Sequence, residues 1–338
     1  MDFVKYSYSA SNEKKVPLRL NYIIRKYSTN TQIEGMEFIR LINDAYYKFV
    51  ADIYNPKYES TQCALYADFF KSIPPGLDIV DVGAGTGASF RILKDIKYKF
   101  GKYYFIEPSK YMAEQFRAYV SEKEPNLEIF VGPLDQASID VSKPKIFIMS
   151  AVLRTIVNLD EFLADLKEKM RPQDFLFLPI EPNNEAFARG AISNVLSAAH
   201  AKTFGTLKRY ILGIRNRLMR MLRGVKRIAE VGHLEKSLRY LVDNKIVTPD
   251  FDAQHLYALI YYHNYLLWRS LEIPASSNEG FFTPDEIQRA LDAKVIKFVN
   301  LHFFQFQSSS YISKTIESVF NKIFPKSGAT VSQLYKKS

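Results

Sequence analysis

The stretch DIVDVGAGTG, residues 78–87, decides the fold. Its first half, up to Val82, is a short apolar run of the kind that forms a buried strand. The three glycines that follow let the chain turn tightly and let a ligand approach the backbone closely. A helix is predicted to begin at Ala88, so the stretch combines a strand, a glycine loop and a helix N-terminus.

Strands and helices alternate on both sides of this unit. Between most of the apolar runs lie segments whose apolar residues recur at helical spacing, for example Lys110–Ser121 and Leu159–Met170. This alternation predicts an α/β fold in which a mostly parallel sheet carries helices on both faces. The predicted strands are Leu77–Val82, Tyr103–Ile106, Leu127–Val131, Lys145–Ser150, Phe175–Ile180, Val295–Phe304 and Thr330–Tyr335.

Two segments depart from this rhythm. Residues 1–72 contain predicted helices and no strand, and residues 183–280 are nearly all helical. We therefore predict an N-terminal helical cap at 1–72, a core made of 73–182 and 281–338, and a large helical insertion at 183–280, after the fifth strand. The insertion is expected to cover the site as a lid, to form a homodimer interface, or both.

The composition is that of a globular chain with a basic surplus. The 338 residues carry a formal charge of +10, which favours anionic partners. The single cysteine, Cys63, excludes an internal disulfide and a cysteine-based zinc site, and no histidine pair stands at metal-ligand spacing beside two acids. From these residues we expect no bound metal. No signal-peptide pattern and no apolar run of roughly 18 residues occurs, so a cytoplasmic protein is expected.

A carboxylate follows the glycine loop at the distance expected of a nucleoside site. Glu107 stands at the end of the second predicted strand, where an acid typically accepts hydrogen bonds from ribose hydroxyls. Three interpretations compete: a turn without a ligand, a dinucleotide site with the fingerprint Gly83-x-Gly85-x-x-Ala88, and an S-adenosylmethionine site. Asp81 favours the last, because a buried acid is costly unless it meets a polar partner such as the methionine amino group.

At this point the sequence resembles a known family, the class I (Rossmann-like) S-adenosylmethionine-dependent methyltransferases. Residues 78–87 resemble motif I of that family, and the resemblance covers about residues 65–182 and 281–336. It implies a seven-stranded Rossmann-like sheet, S-adenosylmethionine as methyl donor and S-adenosylhomocysteine as product. The other segments that carry it are YYFIEPSKYM (103–112), LEIFVGPLDQASI (127–139), the fourth and fifth strands with their connection (146–184), the late helix–strand unit (281–304) and SGATVSQLYKK (327–337).

By this resemblance, Asp81 and the glycine-loop backbone would hold the methionine end of the cofactor, and Glu107 the ribose. The family's third motif usually places an acid directly after a glycine. Here the acid is displaced to Asp135, so either Asp135 or Leu134 is expected at the adenine ring. The expected cofactor residues are Asp81, Gly83, Ala84, Gly85, Gly87, Glu107, Pro108, Leu134, Asp135, Ser150 and Ala151, the last two facing the methyl group.

Three side chains are candidates for a catalytic base or an orienting group. Glu181 follows the fifth predicted strand at the sheet edge where ligands bind, with loop anchoring as the alternative role. In the insertion, His255 and Tyr262 fall on one face of a predicted helix with His263 at its border. That face would suit an aromatic acceptor pocket, with a helix–helix core as the alternative.

A basic amphipathic helix is predicted within the insertion. No acid occurs between Ala186 and Ala229, and Lys202–Arg227 carries arginines on one face and aliphatic residues on the other. Such a helix binds a membrane surface or RNA, or is the solvated face of a lid. The leading hypothesis is methyl transfer to oxygen or nitrogen of a small molecule. The alternatives are an RNA or polyanion methyltransferase docked through Lys202–Arg227, and a non-catalytic scaffold that keeps the fold.

Overall fold

The computed structural model describes residues 17–53, 59–120, 124, 126–140, 142–182, 232–263, 268, 271, 273, 284–301 and 330–338. The strands in these residues form one sheet in the order β3-β2-β1-β4-β5-β7-β6. The first five pair in parallel, and β7 runs antiparallel between β5 and β6. The mostly parallel, seven-stranded, Rossmann-like sheet is confirmed. Its strands are β1 (Asp78–Val82), β2 (Tyr103–Glu107), β3 (Leu127–Val131), β4 (Lys145–Ile148), β5 (Phe175–Pro182), β6 (Ala293–Leu301) and β7 (Thr330–Lys337).

Helices cover both faces of this sheet. One face carries α3 (Glu59–Phe70), α4 (Ala88–Asp95) and α5 (Lys110–Tyr119), whose aromatic side chains pack on the strands. The opposite face carries α6 (Leu159–Lys169) and α9 (Pro284–Leu291). The predicted two-sided layering is therefore confirmed.

The central strand β1 is buried along its whole length because helices lie on both of its faces. Successive side chains of a strand point to opposite faces. Val80 packs into the layer that holds α6, whereas Ile79 packs towards α3, α4 and α5. Asp81 follows Ile79 by two residues, so its carboxyl also lies on the α3–α5 side, beneath the glycine loop.

A second hydrophobic core joins the N-terminal helices to the described part of the insertion. It is built from α1 (Leu18–Tyr27), α2 (Gly35–Val50), the helix α7 over 232–243 and α8 (Ala253–Ile260). We call these four helices the helical unit. An isolated bridge between Ser28 and Val247 also ties α1 to the segment between α7 and α8. The division into a cap, a core and an insertion stays a prediction. In the structure α3 packs on the sheet, and α1 and α2 share their core with the insertion.

Several sequence-based expectations lie outside the described residues: residues 183–231 of the insertion with the basic helix Lys202–Arg227, the helix start at Thr283 and the end of the predicted strand at Phe304. Within the described residues, no helix combines the length and the apolar character needed to cross a bilayer.

Candidate functional site

The glycine loop lies where the strand order of the sheet reverses. The strand β1 has β2 on one side and β4 on the other. In open α/β sheets, ligands bind outside the carboxyl ends of the strands at such a point. The loop enters α4 with Gly83, Gly85 and Gly87 at φ values of 63°, 58° and 83°. This left-handed region costs other residues about 1–2 kcal/mol.

Close packing separately requires two of these glycines. A Cβ on Gly83 would lie 2.8 Å from Cγ2 of Val152, and a Cβ on Gly87 would overlap the ring of Phe116. Gly85 differs, because the nearest atom to an added Cβ is Cε of Met112 at 3.8 Å. Gly85 is thus the loop glycine with space above its Cα, as a backbone that approaches a ligand needs.

Asp81 is buried beneath this loop, with 1% of its surface exposed. The Tyr103 hydroxyl donates a hydrogen bond to Oδ2 of Asp81 at 2.6 Å. Burial raises the pKa of Asp81 to about 7, the Tyr103 hydrogen bond opposes this rise, and the nearby Glu107 carboxyl adds to it. A cationic ligand would stabilise the ionised carboxylate, because an opposite charge offsets the desolvation penalty.

Glu107 braces the glycine loop from the end of β2. Its Oε2 accepts a hydrogen bond from the Gly85 backbone N–H at 2.7 Å, and its Oε1 accepts one from the Ser109 N–H at 2.8 Å. Burial raises the pKa of Glu107 to about 7, although both backbone hydrogen bonds oppose the rise. A carboxylate has about four acceptor positions, so Glu107 retains capacity for two ligand hydroxyls.

The other expected cofactor residues divide by exposure. Leu134 is buried, whereas Pro108 and Asp135 are exposed. Of the two adenine candidates, the buried apolar Leu134 fits a ring contact better. Ser150 and Ala151 are half-buried after β4, and Ala151 has φ of 61°. Such strained backbone in a non-glycine residue is concentrated at functional sites.

Glu181 anchors the loop that follows β4. Its Oε1 accepts hydrogen bonds from the backbone N–H groups of Val152 at 3.0 Å and Leu153 at 3.3 Å. Its Oε2 is buried and has no hydrogen-bond partner in the described part of the chain. Burial raises the pKa of Glu181 to about 7, although the positive charge of Arg154 opposes the rise. One oxygen of Glu181 thus anchors a loop, while the other retains its acceptor capacity.

His255 lies in the core of the helical unit. Its Nδ1 is 2.8 Å from Oδ1 of Asp252, the N-cap residue of α8, and its ring packs on Tyr27 with centroids 4.3 Å apart. This is the arrangement expected of a packing histidine. His255 remains a catalytic candidate only as a prediction from the sequence.

His263 connects the helical unit to the loop after β4. Its ring Nε2 donates to the Ile156 carbonyl at 2.6 Å, and burial lowers its pKa to about 4. A histidine with so low a pKa is a weak base at neutral pH. The predicted helical face is wrong, because α8 ends at Ile260 and both Tyr262 and His263 lie in the turn that follows.

Sequence reasoning missed a group of buried hydroxyls around Asp81. The Tyr66 hydroxyl of α3 lies 3.0 Å from the Ser89 hydroxyl of α4, and the Ser89 hydroxyl lowers the pKa of Asp81. Side chains alternate between the two sheet faces along β2. Which of them lie on the same face as Asp81 depends on the β1–β2 register, and the sequence does not give that register.

These groups define what the site can bind. Two buried carboxyls lie near each other beneath a loop with open space at Gly85, and the N-terminus of α4 offers backbone N–H groups to a polar or anionic ligand atom. The two carboxyls and the N–H groups together fit a ligand with a cationic amino group, a carboxylate and a pair of hydroxyls, which are the polar groups of S-adenosylmethionine. Among the described residues, no cluster of His, Cys, Asp or Glu is arranged to hold a metal ion.

Comparison with known proteins gives a family match over the site-bearing part of the sheet. The family model described as a methyltransferase domain matches residues 80–178. No protein in the curated set matches the chain.

Solved structures of methyltransferases are similar to the chain at low identity. A possible histamine N-methyltransferase of Thermotoga maritima is 14% identical, with 87% of this chain and 98% of that one covered and a TM-score of 0.42. The plantazolicin methyltransferase, solved with SAH, is 10% identical over 94% and 99% of the two chains, with a TM-score of 0.43. A geranyl diphosphate C-methyltransferase of Streptomyces coelicolor is 11% identical over 81% and 77%, with a TM-score of 0.41.

Proposed function

We propose, from the premise that this chain is an S-adenosylmethionine-dependent methyltransferase of the class I fold, that it methylates an oxygen or nitrogen atom of a small-molecule acceptor. The cofactor would supply an electrophilic methyl group carried on a sulfonium. In-line placement of the nucleophile then supplies much of the rate. The tasks left to the protein are to hold the cofactor, place the acceptor, exclude water and accept a proton where the acceptor releases one.

The observation that carries the proposal is the contact between the helical unit and the loop after β4. The His263 backbone N–H donates to the Arg154 carbonyl at 2.8 Å, next to the ring contact of His263 with Ile156. Val157, further along that loop, packs into the core of the helical unit. A helical unit that contacts this edge of the sheet would enclose the acceptor and exclude water, which suits a small molecule better than a polymer.

The cofactor would lie across the glycine loop. Asp81 would bind its amino group, Glu107 its ribose hydroxyls, and the N–H groups at the start of α4 its carboxylate. Leu134 would pack on the adenine ring. Ser150 and Ala151, at the end of the neighbouring strand, would border the methyl group.

Glu181 is the group we propose for orienting the acceptor. Its unpartnered Oε2 would accept the hydrogen of an acceptor hydroxyl or amine, while Oε1 keeps the loop after β4 in place. Its pKa of about 7 suits a general base at neutral pH, because base catalysis is most efficient when the pKa lies near the working pH. His255 and His263 are weaker candidates, since their rings are engaged in packing the helical unit.

Methyl-labelled S-adenosylmethionine tests this function directly. We expect label to appear in a low-mass product when the protein is given pools of small amines and phenols. Glu181→Gln, which keeps an oxygen for the Val152 N–H, should lower kcat by about 100-fold because loss of a general base costs about 10²–10⁴-fold. The apparent affinity for the cofactor should change little.

Glu161→Gln on the exposed surface of α6 is the matched control and should retain full turnover. Label that enters added RNA instead of the small molecules would overturn the small-molecule proposal. Turnover by Glu181→Gln equal to that of the control would restrict Glu181 to loop anchoring.

A further inference from the structure

The hydroxyl of Tyr103 is closely joined to the Asp81 carboxyl. Its oxygen lies 2.6 Å from Oδ2 of Asp81, a short distance typical of a hydrogen bond to a charged oxygen. Tyr103 and Asp81 are 0% and 1% exposed, so water does not compete for this hydrogen bond. A tyrosine hydroxyl within a parallel sheet needs such a partner, because an unpaired buried hydroxyl is costly.

The strand register shows from which side the hydroxyl reaches Asp81. Tyr103 pairs with Ile79, whereas Asp81 pairs with Phe105. The backbone of Tyr103 therefore lies two residues, or about 6.6 Å, closer to the amino end of the sheet than the backbone of Asp81 does. Its side chain reaches the carboxyl from below, on the side away from the glycine loop, and supports Asp81 without occupying the ligand edge.

The Tyr103 ring is fixed by its neighbours. It meets Phe90 edge-on with centroids 5.0 Å apart and lies 5.6 Å from Phe100. A rigid ring gives its hydroxyl one position, as an interaction that orients a binding group requires. The Ser89 hydroxyl of α4 lowers the pKa of Asp81 and forms a hydrogen bond with the Tyr66 hydroxyl.

We propose that Tyr103 is a positioning residue of the cofactor site, whose hydroxyl holds the Asp81 carboxylate ionised and oriented for the amino group of S-adenosylmethionine. This inference rests on the proposed cofactor contact of Asp81. Burial alone disfavours the ionised carboxylate, and a hydroxyl donor on Oδ2 offsets part of that penalty. Among the described residues, the titratable and charged groups around Asp81 are Tyr103 and Glu107 from β2, Tyr66 from α3, and Arg91 from α4, which acts on Tyr103.

The proposal predicts a pH-dependent cofactor affinity that changes when the hydroxyl is removed. Binding of S-adenosylhomocysteine should strengthen as pH rises from 5.5 to 8, because the amino group pairs with ionised Asp81. Tyr103→Phe keeps the ring, should weaken binding about tenfold at pH 7, and should move the midpoint of the rise upward by about one pH unit. Calorimetry of the full chain from pH 5.5 to pH 9 measures both quantities, because the range then extends beyond the midpoint expected for the variant.

Tyr104→Phe is the matched control. It removes a hydroxyl from the next residue of β2, which is equally buried but packs on the opposite face of the sheet, where its oxygen accepts from the Asp140 N–H. This variant should keep the wild-type affinity and midpoint. When Asp81 is replaced by Asn, the added Tyr103→Phe change should no longer move the midpoint of the pH-dependent rise in affinity. The Glu107 carboxyl still titrates in that variant.

The outcomes separate this inference from the proposed function. Absence of cofactor binding by the wild-type chain would overturn both. Wild-type binding with an unchanged midpoint in Tyr103→Phe would overturn the role of Tyr103 alone. If Tyr103→Phe does not fold, a fluorinated tyrosine at position 103 retains the shape and is a stronger donor. It should then move the midpoint downward, and an unchanged midpoint would again contradict the proposal.

Discussion

Replacing Glu107 by alanine is expected to weaken S-adenosylmethionine binding about 100-fold. Two hydrogen bonds from ribose hydroxyls to a buried carboxylate contribute about 1.5–3 kcal/mol each, and about 3 kcal/mol corresponds to a factor of roughly 100 in affinity. The substitution also leaves the N–H groups of Gly85 and Ser109 without the acceptor that braces the loop. Calorimetric titration of the variant with the cofactor measures the loss.

Glu128→Ala supplies the control for that experiment. Glu128 lies on the neighbouring strand β3, where its half-exposed side chain forms an ion pair with Lys102. Exposed ion pairs contribute about 0–1 kcal/mol, so this variant should bind the cofactor like the wild type. Equal affinities in the two variants would show that the ribose contact was assigned to the wrong carboxylate.

Replacing Gly87 by alanine is expected to destabilise the fold by about 2–5 kcal/mol, as the sum of left-handed strain and overpacking. Gly87 has φ of 83°, and an added Cβ would overlap the ring of Phe116. That ring cannot move aside, because it is stacked on Phe105 with centroids 4.1 Å apart and meets Phe90 edge-on at 5.4 Å. Urea denaturation of the variant gives the change in the free energy of unfolding.

Gly76→Ala separates the two parts of this effect. Gly76 has φ of 86°, but an added Cβ meets no atom within 4 Å. The control should therefore show only the left-handed strain of about 1–2 kcal/mol. If Gly87→Ala costs no more than Gly76→Ala, the close packing between the loop and Phe116 is not a constraint on the fold.

The sequence predicted the sheet well because its signals are local. Apolar runs, turns and the alternation with helices are sufficient to locate strands such as Asp78–Val82 and Phe175–Pro182 to within a few residues. The glycine loop could be predicted equally well, because each glycine permits a backbone conformation with positive φ at its own position. The carboxylates Asp81 and Glu107 could be placed because they stand at the ends of strands that had been recognised.

The sequence did not predict features that depend on register or on contacts between distant segments. The hydrogen bond between Tyr103 and Asp81 requires the pairing of β1 with β2, which periodicity does not determine. The contact of His263 with Ile156 joins residues more than 100 positions apart in the chain. The helix α8 ends at Ile260 although the aromatic pattern continues, and the chain then turns so that the His263 N–H reaches the Arg154 carbonyl in the loop after β4.

The central claim is that the loop from Gly83 to Gly87, with Asp81 and Glu107, holds S-adenosylmethionine. Calorimetric titration of the wild-type chain with S-adenosylmethionine and S-adenosylhomocysteine at neutral pH tests it most directly. We predict saturable binding of one molecule per chain, with dissociation constants in the micromolar range for both ligands. If neither ligand binds at concentrations up to millimolar, the glycine loop is not a site for S-adenosylmethionine.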